Sequence, residues 1–381
     1  MKVSCLQDQL QRALGQVSRA VATKTALPIL SNVLLSAHDG QLEISGTNLE
    51  IGITTTIDAS VEDPGKITVD ARLLSEFVNT LPSDTVRLSA DGVRWTLTVQ
   101  SGRDKATING IDPDDFPVIP KVSEDAFSAV VDPQLLRDMI NQVEFSAATD
   151  DSRPVLAAVL TRFEGDKLIL AAADGFRLAV REETIADRVS NRFDILVPAR
   201  AYRELARIIG DSTEPLQLSI TPNQTQLLVK IGATSFLSRL IEGTFPDFRQ
   251  IIPREVATRV EIGRDVFLNA VKRASYFARD NNDVIRLNIH PSEDDLVPGT
   301  LEITATAAER GNSQSFVDVT VHGPELQIAF NARYLADILG GVRQASITIG
   351  MNGGTQAGVL RPAGLDDKCT HVIMPMVIGA S

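Results

Sequence analysis

Only two cysteines, Cys5 and Cys369, occur in 381 residues. Far apart and in no ligand spacing, they exclude a cysteine-built zinc module and a disulfide-stapled secreted domain. Histidine is nearly as scarce. His38, His290, His322 and His371 are scattered, and no nucleophile, base and orienting group can be assembled around them. Long apolar runs are missing too, none approaching the roughly 18 residues of a membrane span. The opening MKVSCLQDQLQ has no apolar signal core, so export is not expected and a reducing cytoplasm is the expected setting. There is no phosphate-cradling glycine loop. The acidic pairs Asp114-Asp115, Asp150-Asp151 and Asp294-Asp295 fall in expected loops, where solvated turns account for them. No catalytic residue, metal or cofactor is expected.

What is present fits a strand-rich globular chain: 43% hydrophobic residues, only 5% aromatic, with β-branched residues throughout. Its length suggests two or three domains, each able to bury its own core. The clearest signal is a repeat. Asp70 opens DARLLSEFVNTLP, Pro198 opens PARAYRELARIIG and Asn331 opens NARYLADILGG, each after a strand-like run (KITV, FDILV, LQIAF). A cap or starter followed by Ala-Arg predicts a helix start in each copy. Leu73, Leu74, Phe77, Val78 and Leu81 form an apolar stripe in the first copy, Tyr202, Leu205 and Ile209 in the second, and Tyr334, Leu335, Ile338 and Leu339 in the third. Gly210 and Gly340 stand where a helix-ending glycine belongs.

After each helix a strand, turn, strand outline follows, most plainly VRLSADGVRWTLTVQ, whose Asp91-Gly92 predicts a hairpin. The Pro-rich phrases DPDDFPVIP and GTFPDFRQIIP close the first two copies. They predict domains at 1–121, 122–253 and 254–381. A fainter set of amphipathic helices, CLQDQLQRALGQVSRAV, DPQLLRDMINQVEFSA and GRDVFLNAVKRASYFAR, occupies the front of each domain. Each domain therefore reads as two strand–helix–three-strand units, an internally repeated α+β architecture.

Charge is unevenly shared. The net charge is −12, unlike a simple basic DNA-binding domain. Yet the windows 7–24, 71–81, 132–145, 198–210, 264–279 and 331–343 hold 14 Lys+Arg against 8 Asp+Glu, a surplus of 6, leaving 23 basic and 41 acidic residues elsewhere. Arg200, Arg203 and Arg207 share one helix face, spaced for solvent or for phosphates. Were the helices to line one surface, a positive track inside an acidic body would attract phosphate without reading bases.

Five phrases, LPILSNVLL (27–35), GTNLEI (46–51), ADGFRLAV (173–180), FPDFRQIIP (245–253) and HVIMPM (371–376), occur in the order found in the bacterial DNA polymerase III beta subunits, the sliding clamps, which the chain resembles over its whole length. The resemblance implies an α+β fold of three clamp-type domains, two chains closing head to tail into a ring, with helices lining the inside and sheets outside. It implies a non-catalytic processivity factor of the bacterial cytoplasm that encircles double-stranded DNA without sequence preference and tethers the replicative polymerase catalytic subunit, the clamp loader, and other polymerases and repair proteins carrying a clamp-binding motif. The alternative is a protein-binding repeat scaffold that encircles no DNA; retention on circular DNA separates the two.

Residue by residue, the resemblance implies DNA-facing Lys24, Arg72 and Arg200, with Arg153 in a loop where the family often carries aromatics; Arg203 and Arg207 join them on helical spacing. It implies a hydrophobic partner cleft from Leu156, Gly175, Phe176, Arg177 and Leu178, with Pro246 and Ile251, and with Val372, Ile373, Met374, Pro375 and Met376 from the terminal segment. Adaptable methionines suit varied ligands. Ala173, Phe176 and Gln250 depart from residues common at those positions, and Phe176 should make the cleft more apolar. For dimer closure it implies the strand through Arg103, Lys105, Ala106 and Ile108 of one chain against Tyr276 and Phe277 of another.

Overall fold

Among the described residues a strand leads into a helix six times: α1 (Gln7–Val17), α2 (Ala71–Thr80), α3 (Pro133–Val143), α4 (Ala199–Ile209), α5 (Arg264–Ala278) and α6 (Ala332–Gly341). The computed structural model describes residues 1–23, 25–120, 127–150, 152–294, 296–307, 309–365 and 368–376, without the side chains of residues 127 and 187–191. Side-chain caps supply the starts. The Asp70 carboxylate accepts from the Leu73 amide at 2.7 Å before α2, and Asn331 Oδ1 accepts from the Arg333 and Tyr334 amides at 2.9 and 3.3 Å before α6, satisfying donors that a helix leaves unpaired at its first turn.

The chain divides into two compact units, Met1–Arg137 with Arg203–Leu240 and Asp138–Tyr202 with Ile241–Ser381. The first holds a 13-stranded sheet and the second a 10-stranded sheet. Neither unit coincides with a segment expected from the sequence, because strand pairing crosses the expected boundaries. In the first unit Thr234–Arg239 pairs antiparallel with Ile51–Asp58, Thr234 opposite Thr55 and Ser238 opposite Ile51. In the second, Arg177–Pro198 pairs with Cys369–Ile373, Arg177 opposite Ile373 and Arg181 opposite Cys369. Each joint couples the last strand of one repeat to the last strand of another.

Two further last strands lack such a neighbour. Asp104–Ile111 pairs along one side with Thr96–Ser101 and touches Gly65–Asp70 only at residues 110 and 111. Gly311–His322 pairs over residues 311–319 with Gly299–Ala307 and over 320–322 with the strand before α5. Among the described residues no other strand lies beside 104–109 or 311–319.

Apolar helix faces close the cores. Leu10, Leu14 and Val17 of α1, Leu74 and Val78 of α2, and Leu335, Ile338 and Leu339 of α6 are buried. Leu73 is exposed, so the first stripe runs through Ala71, Leu74 and Val78 instead. Tyr202 is buried in α4 with its hydroxyl 2.6 Å from Thr161 Oγ1. Gly210 has φ +49° and ends α4 in the left-handed conformation that glycine tolerates, whereas Gly340 lies within α6. The Asp91-Gly92 hairpin turns over four residues, and Trp95 takes the positive φ of 49°.

Candidate functional site

One exposed apolar groove is built in the second unit from the turn that joins two of its long strands. Asp174 fixes that turn: its Oδ1 accepts from the Phe176 and Arg177 amides at 2.8 and 3.0 Å, and its Oδ2 accepts from Arg177 Nε at 3.0 Å. Gly175 has φ +96°, a left-handed conformation that favours glycine. The Phe176 carbonyl accepts from the Met374 amide at 2.8 Å. That bond holds the terminal segment against the turn, continuing the ladder that sets Leu178 opposite Val372.

Around the groove stand Ala173, Gly175, Phe176, Arg177, Leu178, Ile251, Val372 and Met374. Leu178 and Val372 are buried and form the floor, while Phe176, Ile251 and Met374 are 59, 45 and 43% exposed and form a rim. Three large apolar side chains in contact with water at one place are unusual unless something covers them. The enclosed space is only about 60 Å³, far below the ~300–1,000 Å³ of ligand cavities. This is a surface groove, fitted to side chains laid across it. Arg177 is locked rather than available. Its Nη1 is 2.7 Å from Asp337 Oδ2, and its guanidinium carbon lies 4.3 Å from the Tyr334 ring centroid.

The structure thus brings together Gly175, Phe176, Arg177, Leu178, Ile251, Val372 and Met374 of the expected cleft, and adds Ala173. Leu156 packs beneath, on the cluster that includes Phe245 and Phe248. Ile373 is fully buried in the core formed with α5 and α6. Pro246 is exposed and off the groove, and Pro375 and Met376 lie beyond it, the Met376 amide donating to the Ala329 carbonyl at 2.8 Å.

Of the expected DNA-facing residues, Lys24 lies outside the described residues. Arg72 is exposed with Nε 2.8 Å from Glu76 Oε1. Arg200, Arg203 and Arg207 are exposed on α4, and Arg207 Nη1 lies 2.7 Å from Glu204 Oε1. Glu204 also holds Arg19 at 3.4 Å, so one carboxylate serves two guanidiniums. Arg153 is drawn to the groove, where its Nη2 donates to the Asp174 carbonyl at 3.1 Å.

Of the expected closure residues, Arg103 and Lys105 are exposed, Ala106 is half-buried and Ile108 is buried in its own core. Tyr276 is 61% exposed, with Arg279 stacked 5.4 Å from its ring centroid, whereas Phe277 packs on the core. Sequence reasoning missed Phe316, 62% exposed on the unpaired edge of Gly311–His322. Its signal was an aromatic on the polar side of the alternation in SQSFVDV.

Among the described residues no group of three or more His, Cys, Asp or Glu could hold a metal, and no helix is long and apolar enough to cross a membrane. Repeated strand–helix–three-strand units joined last strand to last strand define a clamp-type fold. Family models of the DNA polymerase III beta subunit match residues 1–120 (N-terminal domain), 130–247 (central domain) and 249–377 (C-terminal domain). The beta sliding clamp of Staphylococcus aureus strain COL is 31% identical over 387 residues, covering 99% of each chain, and that of Bacillus subtilis strain 168 is 29% identical with the same coverage. The crystal structure of the Bacillus subtilis DNA polymerase sliding clamp superposes with a TM-score of 0.92 over 99% of both chains at 29% identity. A Pseudomonas aeruginosa clamp bound to griselimycin gives 0.90 at 27% identity, covering 99% of this chain and all of that one. The chain belongs to the DNA polymerase III beta subunit family. It is a DNA sliding clamp, a non-catalytic processivity factor of replication.

Proposed function

We propose that two copies close into a ring around duplex DNA. The observation that carries this is the pair of unmatched last strands. The two joints that cross the expected domain boundaries are last-strand ladders, and residues 104–109 of one copy against 311–319 of another would repeat them head to tail, twice per dimer. Tyr276 and Phe316 offer the exposed apolar area beside that edge, with Arg103, Lys105 and the half-buried Ala106 opposite them. The three segments 1–121, 122–253 and 254–381 are then the ring's repeating domains, with helices inward and sheets outward.

Inside the ring Lys24, Arg72, Arg200, Arg203 and Arg207 face phosphates, and Arg153 serves the rim of the partner groove. Contacts to phosphate alone carry no sequence information and permit sliding. The groove at Phe176, Leu178, Val372 and Met374 takes the apolar residues of a short linear motif in the polymerase catalytic subunit, the clamp loader and repair proteins. The setting is the bacterial cytoplasm. The test is topological: after loading, the protein stays on nicked circular DNA and leaves when the circle is linearised. Equal retention on circle and line would mean that contact, not encirclement, holds it.

A further inference from the structure

We propose that the joint in the first unit carries a second docking cleft, for a short peptide that pairs an apolar anchor with acidic residues. The proposal extends the reading of the Phe176–Met374 groove as a peptide site. Both joints are built alike. At each, two last strands form an antiparallel ladder, and at each a short 3-10 turn capped by an aspartate stands beside it. Asp247 accepts from the Arg249 amide at 3.2 Å, and Asp112 accepts from the Asp114 amide at 2.9 Å. Both turns lie within related phrases, FPDFRQIIP, which gives Ile251 to the first groove, and DPDDFPVIP, which roofs the second.

The second cleft differs in size and charge. It encloses about 630 Å³, ten times the space of the first, and falls within the usual range for ligand sites. Its floor is a row of hydroxyls crossing the ladder: Ser235 lies opposite Thr54 and Thr54 opposite Ser45, whose Oγ is 2.9 Å from Thr54 Oγ1. Ile119 rests against Gly52 at the edge of that floor, and Val118 is 91% exposed in the roof. Lys66 and Lys230 line the cleft from two separate strands. Among the described residues neither makes an ion pair. Two cations without carboxylate partners, beside an apolar roof, are complementary to an acidic, apolar ligand. Of the two anions that line the cleft, Glu43 has an interaction of its own and Asp114 lies within the roof turn. At the first groove the cations are turned to its own turn, Arg177 held by Asp174 and Asp337 and Arg153 donating to the Asp174 carbonyl. Peptides chosen by charge would therefore sort between the two joints.

The probe is a fluorescein-labelled Asp-Leu-Phe-Asp peptide, titrated by polarisation into the intact chain, with Asn-Leu-Phe-Asn as its neutral counterpart. Saturable binding is expected, weakened at least about tenfold in the neutral peptide and in the Lys66→Glu, Lys230→Glu variant, retained by Lys66→Arg, Lys230→Arg, and unchanged when residues 374–381 are deleted. Thermal unfolding of each variant checks that it is folded. No saturable binding to folded protein, equal binding after charge reversal, or loss on deletion of 374–381 overturns the proposal. A glutamine-led Leu-Phe peptide titrated in parallel reports on the first groove alone, so failure of either site is read separately.

Discussion

His371 shows what one buried side chain can do to the whole chain's response to acid. It is fully buried, stacked on Phe145 with ring centroids 5.9 Å apart, and its Nε2 lies 3.4 Å from Cys369 Sγ. Desolvation, and secondarily the nearby Arg181, push its pKa down to about 3. In the unfolded chain it titrates near ~6.5. Between those values only the unfolded chain takes up the proton, so this stability is complete above about pH 6.5 and declines as pH falls towards 3, by up to about 1.4 kcal/mol per pH unit. Urea midpoints measured from about pH 8 to about pH 5 are therefore expected to fall less steeply in His371→Leu than in the parent. Parallel profiles would show that the histidine titrates as it does in water. Nothing in HVIMPM marks this residue as buried; alternation along Cys369–Ile373 could place it on either face. The same ambiguity explains the closure residues. A strand presents alternate side chains, so exposed Lys105 and Thr107 exclude Ile108 from the same surface.

Single elements were legible where local chemistry decides them. The caps at Asp70 and Asn331 and the stop at Gly210 follow from the backbone groups that a helix leaves unpaired, which act within one turn. Asp70→Ala removes the acceptor for the Leu73 amide and is expected to cost roughly 0.5–2 kcal/mol, read by chemical denaturation. An unchanged midpoint would mean that the sheet alone holds α2. Leu73 misled because it shares a helical stripe with Phe77, yet the sheet is met by the neighbouring stripe through Leu74 and Val78. At the groove, the terminal strand Cys369–Ile373 and the Met374 that follows act together. Deleting residues 374–381 removes a rim residue and the bond to the Phe176 carbonyl while leaving the Leu178–Val372 ladder. The truncated protein is expected to lose a micromolar-order motif peptide, about −8 kcal/mol, by calorimetry while keeping its oligomeric mass in sedimentation. Retained affinity would move the partner site elsewhere.

For the whole molecule, the repeat was visible in the sequence because each copy restates its cap and stripe, but the joints were not. Pairing between residues 51–58 and 234–239 depends on partners some 180 positions apart, and no local pattern names them. The unpaired edges predict a mass of two chains in sedimentation, and Phe316→Glu with Tyr276→Glu should shift that mass towards one chain, since both changes put carboxylates on the exposed apolar side of the edge. A double variant that remains two chains would place the contact elsewhere.

If the helix arginines face DNA as proposed, the carboxylates beside them would set how the protein moves. Arg72 rests on Glu76, and Arg19 and Arg207 share Glu204. A phosphate passing them would have to compete with an anion already in place, so each capture would gain little and each release would be offset by the returning carboxylate. Exposed ion pairs are worth only about 0–1 kcal/mol, comparable to thermal energy. Along the DNA axis the potential would then be a low corrugation rather than a series of wells, the carboxylates holding the guanidiniums in position while keeping the friction of each step small.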